Sequence, residues 1–174
     1  MFIPPWEIVT LLDPAFPPRA ARVFLVMALP VWLYASWYDM ARLKILNGLV
    51  LLVFGIFVAV GPLVMPFDVY LWQLVQAVVV FLVVLLFYGA GTMGGGDAKF
   101  IAAASPYFMR EDGPLVLMLL TACGLAAFVT HRLARAAGAA RAVPGWASWT
   151  SGNRFPLGFA LGGVLALYLA LAAA

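Results

Sequence analysis

Residues 69–99 read VYLWQLVQAVVVFLVVLLFYGAGTMGGGDAK. The first twenty of them are almost wholly apolar, the length needed to carry a helix through the hydrocarbon core of a bilayer, about 20 residues. The run stops at Tyr88, passes through a glycine-rich stretch and delivers Asp97 and Lys99. A membrane span followed at once by a carboxylate sets the question for the rest of the chain.

The surroundings are of the same kind. Of 174 residues, 66% are hydrophobic and 10% charged, more apolar surface than a water-soluble domain of this size can hide. The chain therefore reads as an all-α polytopic membrane protein forming one membrane-embedded domain over residues 1–174. Six helical segments are expected, roughly 21–38, 45–65, 69–88, 97–108, 114–132 and 156–173, the fourth short. Twelve residues of helix rise only about 18 Å against a ~30 Å core, so the fourth is expected to cross where protein shields it or the bilayer is thin. Residues 1–20 hold five prolines and two acids and do not resemble a signal peptide; a loop or interfacial segment anchored by Trp6 fits them better. The net charge of +3 is spread thinly, which argues against nucleic acid as a partner and leaves the lipid bilayer as the expected surroundings. Cys123 is the sole cysteine, so the chain has neither a disulfide nor a CxxC zinc site; between Ala122 and Gly124 it reads as a packing residue.

Basic residues in short loops orient a membrane protein. With the first loop cytoplasmic, that side holds Arg42, Lys44, Lys99, Arg132, Arg135, Arg141 and Arg154, against Arg19, Arg22 and Arg110 outside. The N-terminus is then outside. Glu7, Asp13, Asp68, Glu111 and Asp112 also fall outside, and only Asp39 and Asp97 fall on the cytoplasmic side. Segments two and three make one return trip, so the two aspartates share a face whichever face it is.

Carboxylates at the edge of hydrocarbon face protein or a water-filled cavity. Taken singly, Asp97 reads as well as a helix N-cap after a glycine turn, and Asp39 as an interfacial charge pairing with Arg42 or Lys44. Taken together they suggest a pair that shares one proton, one member acting as base toward a water and the other as acid toward a peptide carbonyl. This chemistry needs neither metal nor cofactor, and the cytoplasmic side offers only His131 as a further strong ligand, whereas a zinc site takes three or four. Gly94, Gly95 and Gly96 would let the backbone bend and a substrate strand come close. Lys99 reads as a partner for Asp97, a substrate contact or a positive-inside anchor; Asn47 reads as a site-orienting group or a helix cap.

These residues resemble a known family. GGGDAK (residues 94–99) looks like the GxGD motif of membrane aspartyl proteases, in the GxGDxK form of prepilin peptidases. DMARLKILN (39–47) resembles their D-x-R-x-R-x-I-P-N pattern, and FPLGFALGG (155–163), with Pro156 and Gly158, resembles P-[YF]-G-x-A-x-x-x-G. Ala41, Leu43, Leu46 and Leu157 depart from those patterns. The resemblance implies Asp39 and Asp97 as catalytic residues. It also implies a prepilin or pseudopilin substrate whose basic leader is cut after a glycine at the cytoplasmic face of the inner membrane. With no paired CxxC domain, the chain is similar to the short form associated with Flp-type pili of tight-adherence systems. Two alternatives stand beside this: another GxGD protease acting on signal-peptide-like or preflagellin-like substrates, and a small transporter or assembly subunit in which the aspartates handle protons or cations.

Overall fold

A computed structural model describes residues 12–150 and 156–174; Trp6, Glu7, Arg154 and Phe155 lie outside the described residues. It contains helices α1 (Pro18–Arg42), α2 (Asn47–Val64), α3 (Phe67–Gly89), α4 (Gly95–Ala104), α5 (Gly113–Ala136) and α6 (Leu157–Ala173), with no strand among the described residues. Four helices are long and apolar enough to cross a membrane: α1, α2, α3, and α5 together with the turn that precedes it, Arg110–Ala136. At 17 residues α6 is shorter but equally apolar, and α4 has ten.

The helix ends follow from local chemistry. α1 starts at Pro18, inside the stretch expected to be loop, because a proline at the first helical position gives up only an N–H that has no partner there. It continues past Tyr38 to Arg42 and closes with Leu43 in the left-handed region, φ 51°, whose N–H donates to the Asp39 carbonyl at 2.7 Å. Asp39 therefore lies in the last turn of a helix, one turn from its end. The α2–α3 connection is the tight Met65–Pro66 pair, so these helices are antiparallel neighbours. They meet near that turn, where Gly61 leaves room for the Tyr70 ring and the Tyr70 hydroxyl donates to the Val58 carbonyl at 3.2 Å. Toward their other ends α4 lies between them.

α1 and α6 form the most extensive helix pair, running antiparallel. Gly158 and Gly162 of α6 lie against Asp39 and Ser36 of α1, and at the opposite end the Arg22 Nε donates to the Ala173 carbonyl at 2.9 Å. Phe24, Phe57 and Tyr107 interlock at the centre, with ring centroids 5.0–5.4 Å apart.

The stretch around α4 carries the main backbone problem. Ten residues rise about 15 Å, so α4 ends within the bundle and its carbonyls lose their helical partners there. Irregular backbone survives at that depth only where protein satisfies it. Two glutamines on α3 do so. Gln76 Nε2 donates to the carbonyls of Ser105 and Phe108, both at 2.8 Å, and Gln73 Nε2 donates to that of Phe108 at 2.9 Å. The Tyr107 hydroxyl donates to the Val53 carbonyl at 2.7 Å. Beyond this point the chain reaches the far end of the bundle, where Asp112 accepts from the Ala15 N–H at 2.9 Å and from the Tyr168 hydroxyl. Residues 95–112 thus travel from the Asp39 end to the opposite end although only their first half is α-helix. Replacing Gln76 by Leu leaves the Ser105 carbonyl with only the Phe108 N–H, at 3.2 Å, and the Phe108 carbonyl with only Gln73, and should cost about 1 kcal/mol for each of the two bonds lost. Thermal or denaturant unfolding in detergent reads this directly, and an unchanged midpoint would mean that the amide does not hold α4.

Candidate active site

α1 delivers Asp39 and α4 delivers Asp97 to the same end of the bundle, as the return trip of α2 and α3 requires. Both carboxylates line one cavity of about 590 Å³ and lie within electrostatic reach of each other. Gly94, Gly95 and Gly96 form one side of the cavity; Leu43 to Asn47 and Leu157 form the others.

The two side chains are held differently. Asp97 is not an N-cap: Gly94 occupies that position, φ −68° and ψ 141°, and Asp97 is the third residue of the helix. There an acid lies in the first turn, at the positive end of the helix dipole. Its carboxylate folds back over the cap, so that a Cβ at Gly94 would stand 2.9 Å from Oδ2. At Gly95 a Cβ would meet the Tyr88 ring at 3.1 Å, and at Gly96 it would touch Ile45 at 3.4 Å. The three glycines are therefore sites of close approach to a carboxylate, a ring and the α1–α2 connection.

Asp39 is 5% exposed and makes no ion pair with Arg42 or Lys44. Its Oδ2 accepts the Gly158 N–H at 2.8 Å. Pro156 is fully buried and precedes the first residue of α6, so Gly158 is in the opening turn of that helix, where backbone N–H groups have no helical partner. Asp39 thus reaches across from α1 to the N-terminus of another helix. Ser36, one turn earlier on α1, donates from Oγ to the Gly158 carbonyl at 3.4 Å. Each aspartate is accordingly stationed at a helix N-terminus, Asp97 on its own helix and Asp39 on a neighbour's.

The sequence reading missed the Asp39–Gly158 bond and the part of Ser36 in it. The available signals were the glycines at 158 and 162, one turn apart like Ser36 and the residue before Met40. Lys99 is bonded to Asn47: its Nζ donates to Asn47 Oδ1 at 3.1 Å, joining α4 to the start of α2, and it does not line the aspartate cavity. Two of the four departures from the resembled pattern have a local reason. Ala41 is 8% exposed, on a face where a basic side chain would be desolvated, and Leu46 has φ −72°, close to the value a proline would impose. His131 stacks on Trp149, centroids 4.8 Å apart, and does not line the aspartate cavity. Cys123 Sγ lies 3.7 Å from where a Cβ on Gly163 would be, in the α5–α6 contact.

Residues 26–130, more than half of the chain, match the model of the type IV leader peptidase family. That range includes both aspartates, all three glycines, Asn47 and Lys99, and stops before Pro156 and Gly158. No curated protein and no solved structure matches the chain significantly.

Proposed function

The chain belongs to the type IV leader peptidase family, and on that premise we propose that it is an aspartic endopeptidase of the inner membrane that cuts the leader from Flp-type prepilins or pseudopilins at the cytoplasmic face. The observation that carries this reading is the shared cavity of Asp39 and Asp97.

Two neighbouring carboxylates do not both ionise easily, so the resting pair holds one proton. The ionised member takes a proton from a water as that water attacks the scissile carbonyl carbon. The protonated member gives its proton to the carbonyl oxygen. The tetrahedral intermediate then collapses: the carbonyl re-forms, the C–N bond breaks and the leaving amine is protonated, which returns the pair to one shared proton. Gly94 to Gly96 keep side chains out of the approach to Asp97, and Pro156 and Gly158 fix Asp39. Asn47 and Lys99 shape the edge of the site. No metal or cofactor takes part in these steps. The cytoplasmic face is supported by the basic residues at the aspartate end, Arg42, Lys44, Lys99, Arg132, Arg135 and Arg141 among those described.

The test is cleavage of a synthetic prepilin by the purified protein in lipid, across pH and with excess chelator. A bell-shaped pH profile is expected, because the doubly ionised and the doubly protonated pairs are both inactive. Activity should persist in chelator. Loss in chelator that one added metal restores would overturn the proton-sharing mechanism, and absence of any cleavage would overturn the peptidase assignment.

A further inference from the structure

The aspartate cavity has a neighbour across Asn47. A second cavity of about 500 Å³ shares that residue and continues from it between α2 and α3, over α4. Ala77, Ala102 and Ala103 form its floor. Phe54 of α2 and Val78 and Phe81 of α3 rise beside them, with Val78 59% and Phe81 46% exposed, so the groove opens sideways toward lipid. Among the described residues its polar lining is Asn47 and Lys99, bonded to each other at the end nearest the aspartates.

We infer that this groove receives the apolar helix of the substrate, laid over α4 with its first turn at Asn47 and Lys99 and the scissile peptide beyond them in the aspartate cavity. The inference rests on the peptidase reading above. Three features carry it. The groove and the site adjoin at Asn47, and Asp97, Lys99, Ala102 and Ala103 follow one another along a single short helix. Asp97 therefore stands only about 9 Å along the axis from the groove floor. The floor is made of alanines between bulky walls, the shape that lets a second helix bring its backbone close in a membrane, where packing rather than hydrophobicity drives association. An acyl chain gains nothing from such a floor. The polar pair lies where an entering chain would pass from helix to extended form and would present unpaired N–H and C=O groups. Asn47 can serve both kinds and Lys99 the carbonyls. The lateral opening lets an embedded helix reach the groove without leaving the bilayer.

The experiment uses the full chain in lipid nanodiscs with Cys123→Ser. The probe is a synthetic prepilin with a basic leader, a glycine at the cleavage point and an apolar helix carrying one cysteine about two turns in. Disulfide trapping is done in the Asp97→Asn background with Val78→Cys, and with Leu125→Cys on α5 as the control, since Leu125 is 64% exposed and lines neither cavity. Trapping at position 78 and not at 125 is expected. In the otherwise active chain, Val78→Trp should raise KM about tenfold with kcat changed less than threefold, while Leu125→Trp moves neither. Equal trapping at both positions, or a Val78→Trp enzyme with unaltered KM, would overturn the groove and leave the peptidase reading standing. So would native mass spectrometry showing a phospholipid that stays bound under saturating substrate and is lost in Lys99→Gln. If the unmodified chain cuts no prepilin at all, both readings fall together.

Discussion

Asp39→Asn and Asp97→Asn each lower prepilin cleavage on the order of 10⁴-fold, and the double variant is no worse than either single one; this is the first expected result. Groups that act as one unit show such non-additivity, because removing either partner removes the whole device. The geometry favours it here: the two carboxylates come from different helices into one cavity, and each is set at the start of a helix, Asp97 on α4 and Asp39 against α6. Asparagine keeps the size and the accepting oxygen of aspartate, so the Asp39 variant can still take the Gly158 N–H and the fold is retained. It cannot share a proton with its partner. The measurement is the initial rate on a synthetic prepilin at matched protein levels in lipid. Near-normal cleavage by either single variant, or losses that multiply in the double one, would show that the aspartates do not work as a pair.

Much of this arrangement was legible in the sequence, and the reasons are specific. Apolar runs locate the helices, so the six expected segments overlap α1 to α6, although only four are long and apolar enough to cross a membrane and the fourth ends its α-helix at Ala104 and not Phe108; the end of α1 was missed because Asp39 to Arg42 remain helical after the apolar run stops. The pairing of Asp39 with Asp97 follows from counting crossings, an argument that tolerates errors in every boundary. Contacts that depend on which face of a helix meets which neighbour were not legible. Gly158 bonds Asp39 across 119 residues, and the glycines at 158 and 162 signal a close helix contact without showing which helix is the partner. Nothing in the long apolar span of α3 marks out Gln73 and Gln76, yet they bond the carbonyls of Ser105 and Phe108 just past the end of α4. That need arises only once α4 is known to stop inside the bundle. Lys99 sits two residues from Asp97, and the helix turns it toward Asn47 instead.

The second large effect is expected at Gly158. A Cβ there would stand 2.9 Å from Asp39 Oδ2, 3.1 Å from its Cβ and 3.2 Å from its Cγ. The last two atoms cannot be moved aside by a simple rotation of the carboxylate, because the Cβ is fixed to α1. Gly158→Ala must therefore separate α1 from α6 by a few tenths of an ångström or turn Asp39 out of its place, and either lengthens the 2.8 Å bond that orients the carboxylate. A misplaced reacting group costs on the order of 10² in rate, and overpacking a tight contact costs about 1–3 kcal/mol of stability. Both losses are predicted for Gly158→Ala, measured as kcat on synthetic prepilin and as the unfolding midpoint in detergent. Gly162 separates them. It faces the same helix one turn further on, and its Cβ would meet Ser36 Oγ at 2.8 Å, the movable end of a side chain that does not line the aspartate cavity. Gly162→Ala should thus destabilise the α1–α6 contact while lowering kcat by less than about fivefold, and Gly163→Ala, at an ordinary 3.7 Å from Cys123, should do neither. A Gly158→Ala enzyme with unaltered kcat would mean that Asp39 is held by something other than the N-terminus of α6. Equal kcat losses in Gly158→Ala and Gly162→Ala would mean that both act through the spacing of the two helices and not through the carboxylate.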